Sequence, residues 1–453
     1  MKVLKFGGTS LGDASRMRQV AEIIGAEEDC IVVCSAMSGV TNTLTDIARL
    51  WSLGNTHRAL GLLSDLHHLY NKTCYNLFPD LSEASATLDM LAAHFAKIGS
   101  FLNGTHNKRD EYWLLAQGEI ITCKLFVDFL NANDGGFKLI NAFDFIHLGA
   151  DGEPSIIDIH ERLLRLYGSM QHGRYLTQGF ICTDHHGDPY NLQRGGSDYT
   201  ATLIGAAMDV SAIEIWTDID GVRNNDPRYV ADTFSIRELS FGEAAELAYF
   251  GAKILHPSCV WPARSNNIPL YLKNTLTPIT AGTIIRRGPD SKGIKAVAAK
   301  DGITMIRIRS ARMLNAYGFL RRVFEIFESW KTPIDVITTS EVAVSLTIDN
   351  AEFLDQVIRE LKELGEVSIV SNQSIVCIVG DVLAEHQGYA ARILESLKHL
   401  QVKMVSFGGS HNNLTVVLPQ DEKQEALIAL QKGLFNTAET EKTAMPDKTI
   451  ISN

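Results

Sequence analysis

Two rhythms of hydrophobicity divide the 453-residue chain, and they constrain its fold more than any single motif does. From the N-terminus to about residue 285, short β-branched runs alternate with longer segments of helical period. That alternation specifies an α/β domain on a mainly parallel open sheet sandwiched by helices. The predicted strands are VLKF (3–6), CIVVCS (30–35), YLTQGFI (175–181), AIEIWTD (212–218) and IPLYLKN (268–274). Residues 43–130 carry only weak strand signals and read as a helical insertion or lid. The stretch TAGTIIRRGPDSKG ends this rhythm at about residue 290. Beyond it, segments 303–310, 318–330, 334–340, 342–348, 351–364 and 367–370 read β-α-β-β-α-β, and 374–380, 388–400, 402–408, 413–419, 422–435 and 448–452 repeat that order. Two tandem ferredoxin-like α+β units follow from the repeat, with a single larger α+β domain as the alternative. The expected domains are therefore 1–290, 291–372 and 373–453.

A formal net charge of −11 disfavours nucleic acid or an anionic membrane as partner, since both need clustered Lys and Arg. A small metabolite is the default. The seven cysteines (30, 34, 74, 123, 182, 259 and 377) are scattered and form no CxxC pair, so neither a disulfide framework nor a zinc site is expected. His67 and His68, like His185 and His186, lack a third partner at ligand spacing, and no metal site is predicted in the protein. No apolar run approaches the ~18 residues of a membrane span, and the start MKVLKFGG lacks a signal-peptide core, so a cytoplasmic location is expected.

Ligands of open α/β sheets bind beyond the carboxyl ends of the strands, which is where the polar clusters of this chain lie. KFGGTS (5–10) puts Lys5 at the end of a strand, then Gly7 and Gly8, then the hydroxyls of Thr9 and Ser10. It fits neither GxxxxGK[ST] nor GxGxxG, and alone it reads equally as a phosphate turn or an ordinary strand-to-helix turn. QRGGSDYTATLIG (193–205) is more specific: Gly195 and Gly196 free the backbone, Ser197 or Asp198 can cap the next helix, and its N-terminal amides suit an anion. Arg194 has the planar fork that fits a carboxylate. Asp198 would repel an anion, so it is either an N-cap or the partner of Lys5 or of a ligand ammonium. EIWTDIDGVRNNDPR (214–228) ends a strand in what could be a plain turn, and Lys253 could be a phosphate ligand or a helix-end cation. SAMSGVTNTL (35–44) is a hydroxyl-rich loop, and Glu119 in LLAQGEIIT is expected to open a helix.

In one order on one chain, KFGGTS, SGVTN, QGE, TQGF, RGGSDYTA, WTDIDG, NDPR and FGAKILHP resemble the aspartokinases of the amino-acid kinase superfamily. The resemblance covers almost the whole length, including paired ACT domains after residue 290. It implies ATP-dependent phosphorylation of the side-chain carboxylate of L-aspartate to 4-phospho-L-aspartate, the first committed step towards lysine, threonine and methionine. It further implies that Lys5 contacts the transferring phosphoryl group and that Asp198 organises the catalytic lysines. Ser38, Thr41, Glu119, Arg194, Gly195, Gly196 and Ser197 would hold aspartate, with Phe180 lining its pocket. Lys5, Gly7, Gly8, Thr9, Ser10, Thr217, Asp218, Arg223, Asp226, Arg228, Lys253 and Ile254 would hold ATP, with Mg²⁺ bridging its phosphates. Many lysine-sensitive relatives carry Tyr where this chain has Arg223. The ACT pair implies an effector amino acid, lysine, sensed at an interface between chains of a homodimer or homotetramer, with Met313, Ala316, Phe319, Leu320, Asp335 and Ser340 as contacts. Asn315 and Ala316 stand where such relatives often have His and Ser. The alternatives are a sister kinase acting on glutamate, acetylglutamate or carbamate, and an amino-acid sensor without catalysis.

A carboxylate nucleophile is ionised at pH 7 and needs no catalytic base. What it needs is cations and backbone donors that bring two anions together.

Overall fold

A computed structural model describes residues 1–133, 135–192, 195–251, 255–288, 293–313, 317–381 and 387–435. The chain forms two compact units, one of residues 1–222, 235–241 and 254–287, the other of 223–234, 242–253 and 288–453.

The first unit is built on an eight-stranded sheet in the order Phe137–Ile140, Arg174–Gln178, Cys30–Cys34, Lys2–Phe6, Ala212–Thr217, Leu270–Asn274, Thr283–Arg286, Glu238–Ser240. The first six are mutually parallel. Their inner members, such as the wholly buried CIVVC, are continuous apolar runs because both faces of a parallel sheet are covered. The strand Lys2–Phe6 lies between Cys30–Cys34 and Ala212–Thr217, so successive connections diverge to either side of it. Such a switch point opens a crevice at the carboxyl end of the strand, and that end is Lys5-Phe6.

TIIR, in the stretch where the first rhythm ends, is a further sheet strand, Thr283–Arg286, antiparallel to Leu270–Asn274. The left-handed Gly282 (φ 67°) makes the return so tight that a Cβ there would collide with the Leu272 carbonyl. Residues 43–130 are mainly helical, as read, and of the two alternatives they form an insertion packed into the core. The helices Val40–Ser52, Thr56–Leu77, Leu81–Leu102 and Lys108–Ala132 share one apolar core with Leu4 and Phe6 of the central strand, through Trp51, Tyr70, Leu91 and Phe126 among others.

The second unit carries a six-stranded antiparallel sheet in the order Ile337–Thr339, Ala343–Ile348, Gly293–Arg309, Glu366–Asp381, Asn413–Pro419, Met404–Phe407. Its two central strands are long, 17 and 16 residues, and each serves two halves. Around a register shift between Lys300 and Ile303, residues 303–309 pair within one half and residues 293–300 within the other. Phe319–Ser329 and Leu354–Leu364 cover a core of Ile306, Val323, Phe327 and Leu346; Tyr389–Ser396 and Lys423–Leu430 cover a second core of Val376, Ile393, Val416 and Leu427. The strand completing the C-terminal half thus comes from upstream, at 293–300, whereas the expected strand 448–452 lies outside the described residues. Residues 223–234, read with the N-terminal domain, cluster here because Asn224 and Asn225 are buried and donate to Gln431 Oε1 at 3.0 and 3.2 Å, Asn225 also to the Leu427 carbonyl.

Candidate active site

A cavity of about 490 Å³ opens at the carboxyl end of the central strand. Its lining joins five sequence segments: Lys5, Gly8 and Thr9; residues 35–39 with Thr41 and Asn42; Glu119; Phe180; and residues 195–198. Lys5 is only 9% exposed, and its ammonium lies 2.6 Å from Asp198 Oδ1. Strand pairing on both sides fixes the Lys5 backbone, through Val33 and Ile215, so the side chain is aimed by the sheet.

Asp198 is not a cap. The helix Gly196–Ala207 begins one residue after Gly195, which is left-handed (φ 73°) and leaves no side chain on the first amides; Ser197 and Asp198 fall inside the first turn. A second helix, Val40–Ser52, starts in the same way from left-handed Gly39 (φ 82°), also without a side-chain cap. Two helix N-termini without side-chain caps therefore border one cavity beside a lysine, an arrangement that favours anions. Phe180 holds the rare left-handed conformation for a bulky residue (φ 68°) and presses on the glycine turn: a Cβ on Gly196 would lie 2.7 Å from its Cδ2.

Glu119 does not open a helix, as its sequence context suggested. It lies in the middle of Lys108–Ala132 and is 3% exposed. Its Oε1 accepts from the Ala36 amide at 3.3 Å, while Oε2 is buried without a hydrogen-bond partner. Burial pushes the carboxyl up to about 8, against the pull of the Ala36 amide. A buried carboxyl with one unsatisfied oxygen has room for a further donor. One turn on, Thr122 accepts from the Met37 amide at 3.2 Å and lies 2.8 Å from the Tyr70 hydroxyl, so Lys108–Ala132 fixes the loop 35–38 at two successive amides. Sequence reading missed Thr122 and Tyr70, although Thr122 shares a helix face with Glu119 at i, i+3.

Other predicted ligands are not among the residues that line this cavity. The Ser10 hydroxyl is buried 2.7 Å from Thr275 Oγ1, and the Gly7 amide donates to the Trp216 carbonyl at 3.3 Å, so neither faces the cavity. Thr217 and Asp218 end the neighbouring strand, where the Thr217 hydroxyl donates to Asp218 at 3.1 Å. Arg223, Asp226 and Arg228 belong to the second unit. There Arg228 grips Asp226 with Nη2 2.6 Å from Oδ2, and the Arg223 guanidinium donates to Thr233 Oγ1 and O. Met313 and Phe319 pack partly buried on the core around Val323, Leu320 and Ser340 are exposed, and the side chain of Asp335 is buried. Arg194, Lys253, Ile254 and Ala316 lie outside the described residues.

The model of the amino acid kinase family matches residues 1–274, and that of the ACT domain matches residues 376–434. Aspartokinase 3, chloroplastic, of Arabidopsis thaliana is 33% identical over 96% of this chain and 82% of its own length. Lysine-sensitive aspartokinase 3 of Escherichia coli is 30% identical over 96% of this chain and 99% of its own. Crystal structures of Escherichia coli aspartokinase III superpose with TM-scores of 0.82 (with aspartate and ADP, R-state) and 0.76 (with lysine and aspartate, T-state), at 29% identity over 96% of this chain and all of theirs.

Proposed function

This chain belongs to the amino acid kinase family and, within it, to the aspartokinases, and from that premise we propose how its cavity transfers phosphate from ATP to the side-chain carboxylate of L-aspartate. The observation that carries the reading is the Lys5–Asp198 ion pair, set at the end of the central strand between two helix N-termini and sharing one cavity with a buried glutamate.

Aspartate brings one ammonium and two carboxylates. Ionised Glu119 receives the ammonium on its free Oε2, and Ser38, Thr41, Ser197 and the amides at Gly195-Gly196, with Arg194, receive the carboxylates. A side-chain carboxylate oxygen attacks the γ-phosphorus in line, the bond from that phosphorus to the β,γ-bridging oxygen breaks, and ADP leaves. Charge spreads over the equatorial oxygens as this happens. Lys5 is the cation placed to meet it, with Gly8 and Thr9 beside it, and Asp198 keeps its ammonium from swinging into solvent. Thr217, Asp218, Arg223, Asp226, Arg228, Lys253 and Ile254 complete our assignment for the nucleotide. When bound, Mg²⁺ neutralises the phosphates and supplies no nucleophile. The ion would enter as its ATP complex, held chiefly by the phosphates of the nucleotide.

The proposed domains are the kinase at 1–290 and two ACT units at 291–372 and 373–453, the second borrowing strand 293–300. The relative named lysine-sensitive supports lysine as effector, with Met313, Ala316, Phe319, Leu320, Asp335 and Ser340 as its contacts between two or four copies of the chain. No described helix is long and apolar enough to cross a membrane, and all seven cysteines are free and buried; a cytoplasmic location accords with both.

ADP release over a panel of amino acids, with hydroxylamine trapping the acyl phosphate, tests the reaction. Aspartate should be the strongly preferred acceptor, and preference for glutamate or acetylglutamate would transfer the chain to a sister activity. Gly196→Ala should raise the aspartate KM at least about tenfold, because the new methyl displaces Phe180. An unchanged KM would remove Phe180 from the pocket wall.

A further inference from the structure

The second unit contains an ammonium cage that is already occupied from within. Lys300 Nζ lies 2.9 Å from Asp335 Oδ1 and 2.7 Å from Asp349 Oδ2, and 4.9 Å from the centre of the Tyr249 ring. The Tyr249 hydroxyl donates to the same Asp335 Oδ1 at 3.1 Å. Asp335 has a side chain only 2% exposed, yet its Oδ2 has no hydrogen-bond partner. A buried carboxylate that leaves one oxygen unsatisfied is built to accept more donors than it holds. The cage is also short of positive charge, with one ammonium facing two carboxylates. Two acids and an aromatic face are what a second primary ammonium would require.

We propose that Lys300 is an internal stand-in for the effector's amino group, holding the counter-charges that the effector needs and so raising the concentration at which it acts. The proposal rests on the reading that an effector amino acid is sensed at Asp335. An incoming ammonium must either take the place of Lys300 on Asp335 or settle on Oδ2 against its like charge, and in both cases Lys300 opposes it. Burial pushes the Asp335 carboxyl up and the Lys300 ammonium pulls it back, so the counter-charge is kept ionised by whichever cation sits on it. Tyr249 closes the helix Phe241–Tyr249, and four residues later the chain reaches Lys253, assigned above to the nucleotide.

The test is the half-inhibitory concentration of L-lysine for the full-length enzyme, with kinase activity as readout, in the wild type and in Lys300→Met, Lys300→Gln and Lys300→Arg. Met and Gln should each lower that concentration roughly tenfold, within the range of ordinary coupling energies, while Arg stays within about threefold of wild type. Gln retains a donor for Asp335, so it answers the question should the Met variant fold poorly. Uninhibited turnover should be unchanged in all three. Wild-type inhibition by lysine with Met and Gln unchanged or less sensitive overturns the proposal and leaves the effector reading standing. No inhibition by lysine in the wild type or in any variant removes the effector reading, and the proposal with it.

Discussion

Lys5→Ala lowers kcat by roughly 10³-fold, the scale on which single preorganised charge-stabilising groups act, and leaves the aspartate KM within a few-fold of wild type. The split follows from geometry. Lys5, held by the central strand, is assigned to the transferring phosphate, whereas the ammonium of aspartate is assigned to Glu119 on another wall of the cavity. The same substitution strips a mostly buried carboxylate of its cation and should cost about 3 kcal/mol of stability, visible as a lower Tm. Stability and catalysis can be separated, because Lys5→Ala combined with Asp198→Ala removes the orphaned charge. The double variant regains Tm and stays inactive. Turnover close to wild type in the single variant would take Lys5 out of the chemistry.

Glu119→Gln raises the aspartate KM by about 100-fold, the loss of a buried charge-assisted contact worth ~3 kcal/mol. The pH dependence is the sharper measurement. In the free enzyme the Glu119 carboxyl is held up at about 8 by burial, yet an ammonium binds the ionised form. The wild-type aspartate KM should therefore fall as pH rises from 6 towards 8, and aspartate binding near pH 7 should release close to one proton. Calorimetry in buffers of different ionisation enthalpy counts that proton. Among the described residues lining the cavity, the other charged groups are Lys5 and Asp198, which pair with each other. Linkage adds a stability effect: between the ordinary carboxyl value of 4.5 and about 8 the folded chain binds more protons than the unfolded one, so stability declines as pH rises through that window. Glu119→Gln should abolish both trends, and a pH-independent KM in the wild type would show that Glu119 does not meet the ammonium.

The parts of this site legible in the sequence were those whose local pattern and chemistry coincide. VLKF is a short strand-like run whose single charge, Lys5, stands one residue from its end, so both the strand and the place of Lys5 near its tip could be read, and an acid beside a glycine turn suggested a partner for that lysine. Asp198 was ambiguous because capping and pairing use the same residue type, and only the left-handed Gly195 shows that the first helical amides lack a side-chain cap. Glu119 was misplaced because a glycine before an acid mimics a helix start; here Gly118 instead lets the helix approach the loop 35–38, since its Cβ would meet Ala36 Cβ at 3.0 Å. Asn224 and Asn225 looked like turn formers, and their role as buried donors depends on Gln431, some two hundred residues away. Distant pairing of this kind leaves no periodicity behind, and the same holds for the Tyr249–Asp335 contact.

The long strand Gly293–Arg309 also changes how the C-terminal repeat can be cut. A fragment begun at residue 373, where the repeat in the sequence invites a boundary, lacks the stretch 293–300 that pairs with residues 375–381. Ile375–Val379 are fully buried, and without that neighbour their backbone would lie open along one side. An apolar edge of that kind recruits other chains. The repeat is modular in its helices and cores but woven in its hydrogen bonds, so a faithful excision of the second half has to carry 293–300 with it.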